Sequence, residues 1–189
     1  MKMTHISEDI IRRASDGDAD AFEQVYRAHC RFVYNVAWRV LGSREDAEEA
    51  TQEVFVAIYR KLGSFSFESS LRTWIYRITV NTALNFAKKR SRYTDRNIPY
   101  EDGRHDSAAP NAADEVIEKE NREQLVDAML SALNPDQRAC LVLRVMQDLS
   151  YEDIARTLNI NINTVRTRIK RAREKLLVIR SEVISHEMS

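Results

Sequence analysis

A chain of 189 residues has room for one large domain or two small ones, and its 43% apolar content supports a real core. Only 4 glycines and 3 prolines leave little turn material for an all-β fold, so an all-α fold of long helices is expected. With 29 basic and 29 acidic residues the formal charge is zero, which excludes a uniformly basic nucleic-acid binder but not a locally charged one.

A short helix is expected over residues 8–15. The next begins near Asp18, with Phe22, Val25, Tyr26, His29, Phe32, Val33, Val36, Ala37 and Val40 recurring at three- and four-residue steps. Gly42 suits its C-cap. Ser43 opens a third helix, whose Glu45, Asp46, Glu48 and Glu49 suit the positive end of the helix dipole, and which runs to about Leu62. Residues 63–70 form a small-residue loop containing Phe65 and Phe67, and Ser69 or Ser70 caps a helix from Leu71 to about Arg90. Residues 91–112 read as a linker, polar and charged, with Pro99, Gly103, Pro110 and Asn111. Helix resumes near Ala113, with Val116, Ile117, Leu125, Ala128, Met129, Ala132 and Leu133 in a broken apolar stripe. Asn134 caps and Pro135 opens a helix to Gln147. Ser150 with Asp153 starts a short helix ending at Leu158. Residues 159–163 make a turn without glycine, for which Asn is the most tolerant alternative, and the last long helix begins at Thr164 with Asn163 as its cap.

Charge is segregated along this plan. Residues 64–92 carry Arg72, Arg77, Lys88, Lys89, Arg90 and Arg92 against Glu68 alone. Residues 162–189 carry seven basic residues against Glu174, Glu182 and Glu187, whereas 93–161 hold seven basic and fourteen acidic residues. Two basic patches flank an acidic stretch, a footprint that the total hides. Cys30 and Cys140 stand alone without ligand spacing, so neither metal nor other cofactor is expected. No apolar run approaches the roughly 20 residues of a membrane span, and no signal-peptide segment opens the chain, so a cytoplasmic protein is expected.

Residues 150–175 have the dimensions of a helix-turn-helix. At 100° per residue, Ile169, Ala172 and Leu176 fall within about 40° of Val165 and form a packing face. Thr167, Lys170, Arg171 and Glu174 lie opposite, bordered by Arg166 and Arg173 on one side and Arg168 and Lys175 on the other. Forked guanidinium groups suit guanine edges, and border cations suit phosphates. A solvated basic helix is the plainer alternative. On the helix from Leu71, Trp74, Arg77, Asn81 and Lys88 share a face roughly 120° from Leu71, Ile75, Ile78, Thr82 and Phe86, with Asn85 at its edge. An indole, amides and cations beside Phe65 and Phe67 fit single-stranded DNA, with bases stacked and backbone held. A Trp at helical spacing equally serves a core, and Lys88-Lys89-Arg90 equally ends a helix. In the acidic helix Ala47, Ala50, Val54, Ile58 and Leu62 are its buried stripe. Glu49, Gln52, Glu53 and Arg60 project elsewhere, and Phe55, Val56 and Tyr59 widen the apolar surface, as for a protein partner or simply a wide core.

These segments resemble a family. Asp46-Ala-Glu-Glu-Ala-Thr-Gln-Glu-Val-Phe55 is similar to the polymerase-clamp-binding segment of bacterial sigma factors. Phe65 through Thr82, with Leu71-Arg-Thr-Trp74-Ile-Tyr-Arg77 and Val80-Asn-Thr82, resembles the −10-binding segment of the extracytoplasmic-function group. Leu133-Asn-Pro-Asp-Gln-Arg138 and Leu149 through Leu176 look like its −35-binding domain. The resemblance implies a region 2 domain at 1–92, a linker at 93–112, a region 4 domain at 113–180 and a tail at 181–189. The linker would thread through polymerase near the RNA exit path. The resemblance places Asp46, Gln52 and Glu53 against the β′ clamp helices, with Glu49 on the same helix, and also implies contact with the β flap. Phe65 and Asn81 match positions around a flipped −10 base, beside Phe67, Trp74, Arg77, Asn85 and Lys88. Arg166, Thr167, Lys170 and Arg171 match positions entering the −35 major groove, with Thr164 and Arg173 flanking. An anti-sigma protein is an expected partner; a small-molecule substrate is not.

Two other classes compete. A stand-alone helix-turn-helix regulator would bind duplex tightly without polymerase, and has no need of residues 46–55 or 74–81. A nuclease would need clustered carboxylates in a basic cleft, and the basic segments hold only scattered glutamates.

Overall fold

The computed structural model describes residues 6–94 and 129–187, with side chains to 92 and 181 respectively. Every regular element among them is helical: α1 Glu8–Ser15, α2 Ala19–Leu41, α3 Arg44–Lys61, α4 Leu71–Thr94, α5 Pro135–Met146, α6 Tyr151–Leu158 and α7 Ile162–Glu187. A 3₁₀ turn, Leu62–Ser64, follows α3, and residues 129–131 end a further helical segment. Of the helix expected from Ala113, only its end from 129 onward lies within the described residues; its start and the linker after Thr94 lie outside them.

Local chemistry sets the helix ends. Asp18 accepts the Ala21 N–H at 3.0 Å and pairs with Arg13, and the backbone bond followed by that pairing holds its carboxyl below the usual range. Gly42 closes α2 at φ +78°, donating to the Trp38 carbonyl at 2.7 Å. Ser70 is the residue that caps α4, accepting from Thr73 N–H at 3.1 Å. That helix continues four residues past Arg90, because no glycine or proline intervenes before Pro99. Asn134 and Gln137 form a reciprocal capping box with Pro135 in the first turn of α5. Asn159 adopts the left-handed conformation, φ 51° and ψ 51°, that the glycine-free turn requires. The last helix starts two residues earlier than expected. Asn161, not Asn163, supplies the side-chain acceptor, taking the Asn163 N–H at 2.8 Å, because two asparagines in this turn compete for the same role.

One core joins α1–α4 through Ile11, Val25, Val33, Val54, Ile58, Leu62 and Ile75. A smaller one in the second half gathers Leu133, Leu141 and Ala172. The largest spans both halves, and Val36, Val40, Tyr76, Val80, Ala83 and Leu84 meet residues of α5–α7 there. Each fully buried large aliphatic, such as Ile58 or Leu143, contributes about 1.5–3 kcal/mol.

Buried His29 donates from Nδ1 to the Val25 carbonyl at 2.9 Å. Burial pushes its pKa below the ordinary 6.5; the backbone bond opposes this and Arg72 adds to it. The unfolded chain therefore takes up the proton first, so stability is lost as pH falls from 6.5 towards the folded value. Tm measured across that window is expected to fall for the native chain and to flatten for His29→Leu.

Candidate nucleic-acid interface

The turn at Asn159 throws α7 across α5 and α6. Val165, Ile169 and Ala172 are buried beneath it, leaving Arg166, Thr167, Lys170, Arg171 and Arg173 exposed on its outer side, with Thr164 half-buried at its start. This is the face given by the helical angles. Its first turn is held locally: Arg166 donates to Asn163 Oδ1 at 3.1 Å and the Thr167 hydroxyl to the Asn163 carbonyl at 2.8 Å. An open cleft of about 400 Å³ beside it is lined by Asp136, Gln137, Asn163, Thr167, Arg168 and Arg171. Arg168, expected as a border cation for phosphate, instead pairs with Asp136 at 3.1 Å and ties α7 to α5. Lys170 lies 3.8 Å from Glu174, and the Lys175 ammonium donates to the Ala132 carbonyl at 3.4 Å.

The second face divides into three parts. Phe65, Phe67 and Trp74 come together, with ring centroids 4.7 Å apart for the two phenylalanines and 5.5 Å for Phe65 and Trp74. Phe65 is only 8% exposed and belongs to the first core, so it offers an edge rather than an open platform. Phe67 is held at φ 59°, a strained setting for an aromatic residue, under the Arg12 guanidinium at 4.8 Å. Arg77 and Asn81 face the second half of the chain. Asn81 Nδ2 donates to the Thr157 carbonyl at 2.9 Å, and the two residues share a cleft of about 310 Å³ with Asp153, Arg156 and Thr157. The Ser150 hydroxyl holds the Asp153 carboxyl below its usual range, and Arg156 and Arg77 add to the effect. Asn85 and Lys88 are exposed further along α4.

On α3, Ala47, Ala50, Val54 and Ile58 are buried, as is Leu62 just after it, while Glu49, Gln52 and Glu53 are exposed. Asp46 is in an ion pair with Arg90, and Glu53 lies 4.0 Å from Lys89, so the basic end of α4 stands beside two of the four polar positions. Phe55 turns inward, but Val56 and Tyr59 remain open, Tyr59 at 54%, with Phe22 edge-on to its ring. Among the described residues no group of three His, Cys, Asp or Glu could hold a metal, and no helix is long and apolar enough to cross a membrane. Arg138, Asp153, Arg156 and Thr157 meet the first half of the chain; Asp153 was legible only as a helix-start residue and Arg138 only as part of a motif, and their spacing gave no signal of that contact.

The family model for sigma-70 region 2 matches residues 25–93, and that for sigma-70 region 4 matches residues 123–176. The ECF RNA polymerase sigma-E factor of Haemophilus influenzae is 34% identical over 174 residues, covering 88% of this chain and 91% of that relative. The chain belongs to the ECF sigma factors of the sigma-70 family. The ECF RNA polymerase sigma factor SigE of Mycolicibacterium smegmatis is 32% identical over 156 residues, 82% of this chain; the chain spans 60% of that longer relative. Among solved structures, the fold is similar to that of the sigma factor RpoE in complex with the anti-sigma factor NepR from Bartonella quintana. The TM-score is 0.60 at 24% identity, over 84% of this chain and 95% of that one.

Proposed function

We propose that the chain binds core RNA polymerase and directs it to promoters, reading −35 DNA as duplex and −10 DNA as melted strand. One observation carries the reading: the exposed Arg166, Thr167, Lys170 and Arg171 stand over buried Val165, Ile169 and Ala172, on the second helix of a helix-turn-helix in a sigma-70 chain. Such a helix enters the major groove and offers hydrogen-bonding groups to base edges. Arg173, further along, suits phosphate, where it adds affinity without sequence information. Thr164 stands at the groove entry. Residues 1–92 act as the region 2 unit, 113–180 as the region 4 unit, with 93–112 between them and 181–189 as a tail. Glu49, Gln52, Asp46 and Glu53 bear on the β′ clamp, and the second unit bears on the β flap. Phe65, Phe67, Trp74, Arg77, Asn81, Asn85 and Lys88 take the melted strand. The chain is an initiation factor working in the cytoplasm, and polymerase supplies the chemistry. A solved relative held by an anti-sigma factor supports an inhibitory partner of that kind here.

Run-off transcription with purified core polymerase tests the reading. A promoter-specific start that appears only with the chain present is expected. Tight duplex binding without polymerase, and no effect on start sites, would favour a stand-alone regulator instead. A phosphate contact also leaves a salt signature. Arg173→Ala is expected to weaken binding evenly across sequences and to reduce the slope of log K against log salt by about 1.

A further inference from the structure

The loop before α4 carries its backbone strain at an aromatic residue. Phe67 sits at φ 59°, in the left-handed region, and residues 64–70 include no glycine to take that geometry. A bulky side chain persists there only where its surroundings hold it. Where the chain needs only to turn, glycine meets the need with less strain, as Gly42 does at φ +78°. A ring kept in this setting points to a role for the ring itself.

Helix α1 supplies part of what holds it. The Arg12 guanidinium lies over the Phe67 ring at 4.8 Å, and a cation on an aromatic face is attracted by the ring quadrupole. The Phe65 ring stands 4.7 Å from the same ring and 5.5 Å from Trp74, so Arg12 reaches the aromatic trio through Phe67. Arg12 is itself placed by the helix that carries it. Ser7 caps α1, accepting the Ile10 N–H at 3.4 Å, and Ile11 and Ala14 are buried in the first core. Glu8, one turn earlier, lies 3.8 Å from the Arg12 guanidinium, which stays largely exposed. The far end of α1 meets the root of the loop: a Cβ on Gly63 would stand 3.9 Å from the Ser15 carbonyl oxygen. One helix thus backs the loop at its start and at Phe67. That helix precedes residues 25–93, the stretch matched by the region 2 model.

We propose that Arg12 is a positioning residue for −10 recognition: it holds Phe67 in its left-handed setting, so that α1, without touching DNA, fixes the ring that meets the melted strand. This rests on the assignment of Phe67 to that strand. A base stacking on a ring already in place avoids the cost of ordering it, and that saving appears as tighter strand capture.

The test uses the full chain with core polymerase, on templates randomised at the −10 element and fixed at −35. Arg12→Ala is expected to lower open-complex formation on the preferred −10 sequence by about threefold to tenfold and to flatten the −10 preference. Core affinity should stay within about twofold, and the slope of log K against log salt should not change. Phe67→Ala should impair opening as well, and adding Arg12→Ala to it should cost no more, because the two residues act as one unit. A slope reduced by about 1, or an equal further loss in the Phe67→Ala background, would show that Arg12 binds phosphate directly and positions nothing. A lower Tm with an unaltered −10 preference would show that it serves stability alone. If Phe67→Ala leaves opening unchanged, the strand assignment of the loop falls and the positioning role with it. If Phe67→Ala impairs opening and Arg12→Ala does not, the assignment stands and only the positioning role falls.

Discussion

Asn81→Ala is expected to cut open-complex formation by roughly 10- to 100-fold, the value of one well-made base contact, while leaving affinity for core polymerase within about twofold. Permanganate reactivity of melted thymines measures the first, and competition for core measures the second. The separation follows from position. Asn81 lies on α4 facing the Arg77 cleft, whereas the residues proposed for the clamp lie on α3. The amide makes its hydrogen bond to Thr157 and belongs to no buried cluster, so its loss should leave the fold intact. Equal loss of melting and core binding would place the strand-reading face elsewhere.

The second large effect is expected on duplex. Arg171→Ala should weaken −35 binding by about 1–3 kcal/mol and relax discrimination at one base position. Arg171 is exposed, lines the cleft beside Thr167, and carries the planar fork that suits a guanine edge. Arg168 is the control, three residues earlier. Its partner Asp136 is half-exposed and has one buried oxygen without a hydrogen bond, so Arg168→Ala should lower Tm and leave base preference alone. Binding selections on randomised −35 duplexes, read beside melting curves, tell the two apart. Loss of base preference in the Arg168 variant would show that the ion pair is not what this residue is for.

Helical arithmetic made part of this legible in advance. A period of 3.6 residues determines which side of α7 is buried, and Val165, Ile169 and Ala172 are buried while Lys170 and Arg171 are not. Turn chemistry is likewise local, so Asn159 in left-handed geometry and Asn134 with Pro135 could be read from residue type. What a face packs against is not local. Val36, Val80 and Ala83 would satisfy a core within their own half as well as one shared with Ile154 and Val165, and no spacing separates the two. The ion pairs of Asp46 with Arg90 and Arg168 with Asp136 were hidden for the same reason, each joining helices distant in sequence. The aromatic trio was recognised as a group, but its partial burial depends on how the 65–70 loop folds back onto α4.

Gly42 ends α2 with positive φ, and the tip of Arg138 occupies the space where a side chain would begin. A replacement there is strained in the backbone, and it also requires the guanidinium tip of Arg138 to move. The two positions are thereby coupled across nearly a hundred residues of chain. A lineage that abandons glycine at 42 must also redirect or shorten the side chain at 138. Such a pair should change together over evolutionary time, as a correlated signature of the interdomain seam rather than of promoter choice.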